Sequence, residues 1–437
     1  MRLIKFSGIN VRGNSNFEIK FFENLNFLIG ANGSGKTTVL NLISGLLKPS
    51  YQKLAEIDYD KIDLHLMNRD QEDVFITSEK KSDKMILRFR YGENESIKSE
   101  FYVDNKKSRK LRRFSAEDEF NESDAVRQIK KMTGFLYLGI DRLFNEDQAS
   151  YFEMKMTHDD ERRDRLSNLD LSLGRVQNNV FFETRKSKAR ISALSEVFKG
   201  EILKESLSFV DNISYADDFE LKSFSEKLHA QQKELNTVIE TYKMGNLADS
   251  CNSFFSELEK VMRKFSGSEK ESLKDEEKIQ LLMQIFVNKS ILTKINKIVD
   301  IGKKNADNIL KAQENITRFT ESANTFLTET NKKISVNQLG EIIVRLSNGE
   351  KKTIFDLSSG EKHLIIILAY LAFSDVPSSV FVVDEPELSL HITWQEIFVD
   401  AIMKANPNAQ LIFATHSPSI IARKERQKYC IDLTRGE

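Results

Sequence analysis

A chain of 437 residues with 65 basic and 66 acidic side chains has no overall charge to draw it to nucleic acid or a membrane, so any such contact has to be local. The length exceeds a typical single domain and predicts two or three structural units, with 40% hydrophobic residues available for their cores. The two cysteines, Cys251 and Cys430, form no CxxC or Cys/His cluster, which argues against structural zinc and fits a reducing compartment.

The amino terminus, MRLIKFSGI, runs directly into an alternating strand pattern without a secretory apolar core. The longest strongly apolar stretch, 364–373, is about half of the roughly 20 residues that a bilayer span needs, so it reads as a buried helix. A soluble, cytoplasmic protein without membrane contact is expected. From 1 to about 150 short strand candidates dominate, at 3–9, 17–22, 25–29, 85–91 and 97–103, several alternating apolar with polar. From 151 to 334 the chain lacks proline and is rich in Lys, Glu, Asn and Ser, which predicts long helices enclosing little core. Within this insertion Ile309, Ala312, Ile316, Phe319, Ala323 and Phe326 recur at helical spacing. The stripe suits a short coiled-coil arm or an ordinary amphipathic helix packed on its own domain.

A third zone, 335–437, opens with 341–346 and 351–357 flanking SNGE, whose Asn348 and Gly349 suit the positive φ angles of a tight hairpin. The buried helix follows. The apolar runs 380–383 and 410–414 then resemble strands of a parallel sheet buried on both faces. Each delivers polar residues at its carboxyl end, where open α/β sheets bind ligands.

Four local patterns carry chemistry. GANGSGKT, at 30–37, follows a strand and precedes a helix, and matches GxxxxGK[ST]. Its glycines let backbone N–H groups face phosphates, Lys36 can reach the outer phosphate oxygens, and Thr37 can ligate Mg²⁺. Asn32, Gly33, Ser34, Gly35 and Thr38 complete this candidate phosphate cradle. In VFVVDEPE, at 380–387, Asp384 can hold the Mg²⁺ shell while Glu385 polarises a water, which implies hydrolysis. His416, after the next apolar run, is placed to sense a γ-phosphate. LSSGE, at 357–361, offers a second anion site through Ser359, Gly360 and a helix that begins near Glu361.

In this order the motifs resemble the ATP-binding cassette superfamily, in its SMC, RecF and OLD-type ATPase branch. The resemblance covers 1–150 and 335–437 and leaves the insertion unmatched. It implies an α/β ATPase head, a mixed sheet with flanking helices, interrupted by the helical insertion. It also implies ATP and Mg²⁺ as cofactors, with Ser359, Gly360 and Glu361 completing the nucleotide site of a second copy in an ATP-bridged homodimer or higher oligomer. DEPELSLHITWQ, at 384–395, resembles the DEPExxLHPxWQ run of OLD-like and defence-associated ATPases, with Ile392 where proline is frequent. By that resemblance Glu385 is the catalytic base, and Ser389 and His391 belong to a loop at the dimer interface. The family's Mg²⁺-sensing glutamine has no clear counterpart; Asp141, Arg142, Gln148 and Gln71 lie nearest its expected place.

OLD-type proteins commonly continue into a nuclease domain, whereas 21 residues follow His416 here, so a nuclease or toxin is expected as a separate subunit. The architecture resembles stand-alone ATPase subunits of bacterial antiphage systems of the Septu, retron-associated and PARIS types. A RecF- or SMC-like DNA repair ATPase and a structural, ATP-locked scaffold are the competing readings. Nucleic acid has one local candidate, KKSRKLRRF at 106–114, through Arg109, Lys110, Arg112 and Arg113, with acidic SAEDE just after it. RKSKAR, at 185–190, is a lesser one.

Overall fold

The computed structural model describes residues 1–68, 70–81, 84–102, 117–132, 135–138, 168–208, 221–242, 245–266, 274–373 and 380–433. Met1–Thr184 with Asn315–Glu437 form one compact unit, and Arg185–Glu314 form a second.

In chain order the elements are β1 (Arg2–Val11), β2 (Ser15–Lys20), β3 (Leu25–Ile29), α1 (Lys36–Leu47), α2 (Tyr51–Glu56), β4 (Lys61–Met67), β5 (Asp73–Lys81), β6 (Lys84–Tyr91) and β7 (Ile97–Tyr102). Next come α3 (Asp124–Lys131), β8 (Phe135–Leu138), α4 (Asn168–Ser206), α5 (Leu221–Thr241), α6 (Gly245–Ser266) and α7 (Asp275–Leu327). The chain continues with β9 (Lys332–Val336), β10 (Ile342–Leu346), β11 (Lys351–Lys352), α8 (Ser359–Ala372), β12 (Val380–Asp384), α9 (Ile392–Ala405), β13 (Gln410–Ala414), α10 (Pro418–Ile421) and β14 (Cys430–Asp432).

The first unit is built on three sheets. An antiparallel sheet in the order β2-β1-β4-β5-β6-β7 follows from strict alternation. In β4, for example, Ile62, Leu64 and Leu66 are buried and their neighbours are not. The alternate positions of this sheet carry ion pairs such as Lys5–Glu18, Lys61–Asp63, Arg88–Glu79 and Lys98–Glu100. A parallel sheet in the order β14-β3-β13-β12-β8 forms the centre, and β12 and β13 are buried at every position. Phe27, Phe381, Leu411 and Phe413 pack on one of its faces with α8 and α9, while Leu28, Val380, Val382 and Ile412 pack on the other with α1 and the antiparallel sheet. Helix α8 is buried along its whole apolar run from Leu364 to Ala372.

The third sheet, β11-β10-β9, is tied by two side-chain amides, one at the start of its central strand and one on its edge strand β9. Gln177 of α4 donates to the Gly340 carbonyl at 2.8 Å and accepts from the Ile342 N–H at 3.0 Å. Asn324 of α7 donates to the Ile334 carbonyl at 3.0 Å and accepts from the same residue's N–H at 2.7 Å.

In the second unit Leu228, Phe255, Leu258, Met262 and Leu292 enclose a small core. Tyr242 stacks on Phe198 at 4.4 Å and donates to the Gly302 carbonyl at 3.0 Å. A Cβ at Gly302 would meet Val238 at 2.8 Å, so glycine there permits the close approach of helices. Among the described residues no helix is long and apolar enough to cross a membrane.

Several expectations differ from what is observed. The apolar stripe is divided: Phe319, Ala323 and Phe326 lie in the core of the first unit, where Phe319 packs on Phe373 and Phe326 on Trp394. The first unit thus takes in residues 168–184 and 315–334, which the sequence boundaries at 150/151 and 334/335 assign to the insertion. In the SNGE turn only Gly349 has a positive φ, 85°, because the Gly349 N–H bonds to the Leu346 carbonyl and Asn348 keeps an ordinary backbone. The returning strand is only Lys351–Lys352 before the chain turns into a short 3-10 segment, Ile354–Asp356. The basic run with Arg109, Lys110, Arg112 and Arg113 lies outside the described residues, as do Asp141, Arg142 and Gln148. Arg185, Lys186, Lys188 and Arg190 are exposed on α4.

Candidate functional site

Strand β3 lies between β13 and β14, so its carboxyl end opens beside the carboxyl ends of β13 and β12. GANGSGKT turns there from strand to helix. Gly33 and Gly35 take φ of 86° and 92°, and a Cβ at Gly35 would also lie 2.7 Å from the Phe17 ring. Helix α1 begins at Lys36, so its free N–H groups point out of the turn. Lys36 is 5% exposed, and its Nζ donates to the Gly30 and Ala31 carbonyls at 3.0 and 3.3 Å. Burial lowers the pKa of this ammonium, opposed by the charges of Glu385, Asp384 and Glu387.

Asp384 ends β12 in register with Ala414 of β13. It is 1% exposed, and neither carboxylate oxygen has a hydrogen-bond partner among the described residues. Burial pushes its carboxyl upward, partly opposed by Thr37 and Lys36 beside it. Ser34 Oγ is also buried without a partner. Bare buried oxygens cost about 1–3 kcal/mol each, and a Mg²⁺–phosphate group at this position would satisfy them. Thr37 and Asp384 are the residues that could hold such a metal.

Glu385 adopts a left-handed backbone, φ 50°, with its N–H donating to the Ala414 carbonyl at 2.9 Å. Such strain in a non-glycine residue recurs at active sites. Its Oε1 lies 3.5 Å from His416 Nε2. Burial, then the charge of Glu387 and a hydrogen bond to it, then Asp384 push the Glu385 carboxyl up to about 7. A cleft of about 450 Å³ over these groups is lined by Arg12, Phe17, Lys36, Thr37, Glu385 and His416, with Asn32, Gly33, Gly35 and Thr38 on its floor and rim. The structure therefore brings together the phosphate-loop residues, Glu385 and His416, with Asp384 beneath them.

Ser359 and Gly360 do not line this cleft. Ser359 is exposed in the first turn of α8, whose N-cap is Ser358. Within the chain the Glu361 side chain is turned inward. Its buried carboxylate accepts from Ser358 N at 2.8 Å, Thr330 Oγ1 at 2.9 Å and Lys332 Nζ at 2.8 Å, while Lys362 pairs with Asp170 at 2.9 Å. Ser359 and Gly360 are thereby held on a rigid turn. Of the interface-loop residues, His391 Nδ1 lies 3.0 Å from Thr393 Oγ1, and Leu388 and Ile392 are exposed. Gln71 sits exposed in the β4–β5 turn and does not line the cleft.

Two functional-site neighbours escape sequence reasoning. Glu387 stands in the DEPE motif without a role; its Oε1 accepts from Thr415 Oγ1, His416 N and Ser417 N at 2.8, 2.7 and 3.1 Å. The repeated acid two residues after Glu385 is a signal that could have found it. Lys332 has no such signal, because its partner is 29 residues away.

A family model described as "AAA domain, putative AbiEii toxin, Type IV TA system" matches residues 25–422. A curated relative, "Retron Vc95 probable ATPase" of Vibrio cholerae serotype O1 biovar El Tor, is 31% identical over 189 residues. That match covers 39% of this chain and 36% of the relative's length. Among solved structures, the Smc head domain with an extended coiled coil from Pyrococcus furiosus aligns over 96% of this chain and 91% of its own, at 14% identity and a TM-score of 0.39. The SMC head domain from Thermotoga maritima aligns over 96% and 91%, at 10% identity and a TM-score of 0.36.

Proposed function

The chain belongs to the AAA-domain family whose model matches residues 25–422, and from that premise we propose that it binds and hydrolyses ATP, with two copies closing head to head on the nucleotide. One observation carries the reading. Lys36, Thr37, Asp384, Glu385 and His416 converge at one end of one parallel sheet, where Ser34 and Asp384 hold buried oxygens that lack hydrogen-bond partners among the described residues.

Bound Mg²⁺, held by Thr37 and Asp384, would offset charge on the outer phosphates and polarise the group to be transferred. Lys36 exchanges its carbonyl partners for phosphate oxygens. Glu385, a better proton acceptor than an exposed carboxylate, takes the proton of the attacking water. His416, beside Glu385, orients that carboxylate and donates toward the γ-phosphate. Exposed Ser359 and half-buried Gly360, on a helix turn outside this cleft, supply the amino-terminal N–H groups that close over the nucleotide of the second copy.

The likeness to a retron ATPase supports a wider role as sensor and scaffold for a separate nuclease or toxin in antiphage defence. The reduced Cys251 and Cys430 suit a cytoplasmic setting. Glu385→Gln is the decisive variant. It is expected to keep ATP binding, to lose about 10²-fold or more in turnover and to sediment as a dimer with Mg²⁺ and ATP. Normal turnover would remove the hydrolysis assignment. A monomer under saturating nucleotide, with normal turnover after Ser359→Arg, would remove the shared site. Purification from the native host under the same trapping conditions tests the effector: recovery of no nuclease or toxin counts against it.

A further inference from the structure

We infer that Glu387 is a positioning residue, which fastens the loop carrying His416 to the loop carrying Glu385 and so sets the two groups against each other. This rests on the proposed hydrolysis. Glu387 lies in the 3-10 turn Pro386–Ser389, directly after Glu385. Its single oxygen Oε1 gathers the Thr415 hydroxyl at 2.8 Å, the His416 N–H at 2.7 Å and the Ser417 N–H at 3.1 Å. These are charge-assisted bonds, short and directional. The His416 backbone is therefore held by the residue two places from Glu385, and the 3.5 Å approach of His416 Nε2 to Glu385 Oε1 follows from that tie. A second tie runs alongside it. Ser417 Oγ donates to Gln395 Oε1 at 2.6 Å, and Gln395 Nε2 donates to the Leu390 carbonyl at 3.0 Å.

Capping the short helix α10 does not explain Glu387. Ser417 is the N-cap there, and its own hydroxyl accepts from Ser419 N at 3.2 Å. Nor is the arrangement one that stability alone would favour, since it buries a second carboxylate against that of Glu385. The side chain makes geometric sense as a hub between two catalytic loops. A hub of this kind needs an acceptor at the right distance more than it needs a charge.

That distinction gives the test. In the full chain, Glu387→Gln keeps an acceptor oxygen at the same reach, whereas Glu387→Asp keeps the charge but withdraws the oxygen by about one bond. The Asp variant is expected to lose about 10- to 100-fold in kcat with KM for ATP within about threefold, and the Gln variant to lose less than the Asp variant, its remaining loss reflecting the charge removed beside Glu385. In a His416→Ala background Glu387→Asp should cost no further activity, because the route runs through His416. Amide hydrogen exchange over 415–417 should quicken in the Asp variant and not in the Gln variant, a readout independent of turnover. The opposite order of the two variants, losses that add to that of His416→Ala, or unchanged exchange would overturn the inference. If Glu385→Gln turns over normally, the hydrolysis reading itself fails. If Glu385→Gln is dead and the Glu387 series is flat, only the role of Glu387 falls.

Discussion

Lys332 Nζ lies 2.8 Å from Glu361 Oε1 and 2.9 Å from Oε2, so the first residue of β9 grips the first turn of the helix that carries Ser359. Glu361 is 1% exposed. Lys332→Met leaves that carboxylate buried without its counter-charge and is expected to destabilise the protein by about 3 kcal/mol, measured by urea unfolding. Adding Glu361→Gln should recover much of the loss, because the uncompensated charge goes with it.

The same pair sets a pH dependence. Burial pushes the Glu361 carboxyl up, but the Lys332 ion pair and the hydrogen bonds from Ser358 and Thr330 outweigh it, and the folded value lies below the ordinary 4.5. The unfolded chain therefore binds the proton first as pH falls. The stabilisation is complete above the ordinary carboxylate range and is lost as pH drops from about 4.5 through the lower folded value. In Glu361→Gln the unfolding midpoint should fall less steeply across that window; an identical slope would show that the pair contributes nothing.

Asp384 carries the opposite burden. Its folded carboxyl is raised by burial against the opposing effect of Thr37 and Lys36, and among the described residues neither oxygen has a hydrogen-bond partner of ordinary geometry. Asp384→Asn should stabilise the nucleotide-free protein by about 1–2 kcal/mol while abolishing Mg²⁺-dependent turnover. Thermal melts with and without Mg²⁺ and ATP separate the two effects: the variant melts higher alone, and gains less from the ligands than the parent does.

Gly35 has two independent reasons to be glycine, a φ of 92° and a Phe17 ring that a Cβ would meet at 2.7 Å. Gly35→Ala should strain the turn by about 1–3 kcal/mol and weaken ATP binding at least tenfold, by about 1.4 kcal/mol or more. Phe17→Ala in the same chain relieves the clash and leaves the backbone strain, so a partial recovery of affinity is expected. Full recovery would show that φ has little weight.

What was legible in the sequence is what is local. The phosphate loop, the acidic end of β12 and His416 are short strings whose chemistry is fixed by adjacent residues, and the strands that deliver them are continuous apolar runs. Strand β4 alternates cleanly in KIDLHLM, and β5 alternates in burial though not in sequence, yet both fall outside the expected set. Periodicity gave the stripe at Ile316, Phe319, Ala323 and Phe326 its helix face but not its neighbours. Those turn out to include Phe373 and Trp394, more than 50 residues away, which is why the head extends further into α7 than composition suggests. Glu361 stands in a contiguous motif, but the partners of its carboxylate within the chain, Thr330 and Lys332, are chosen by the fold.

The sheet β11-β10-β9 leads directly into the turn that presents Ser359, and its strands β10 and β9 are tied to Gln177 and Asn324. Gln177→Leu strips partners from the Gly340 carbonyl and the Ile342 N–H, and Asn324→Leu strips them from Ile334. Each site is only part-buried, so each substitution should cost about 1–2 kcal/mol. The two share no partner, so their effects should add. Amide exchange locates the damage: Ile342 quickens in the first variant and Ile334 in the second. Neither amide contacts the cleft around Lys36, so ATP affinity of the monomer should stay within about twofold while nucleotide-driven dimerisation weakens. Equal loss of both would mean that the sheet supports the phosphate loop itself rather than the exposed turn of α8.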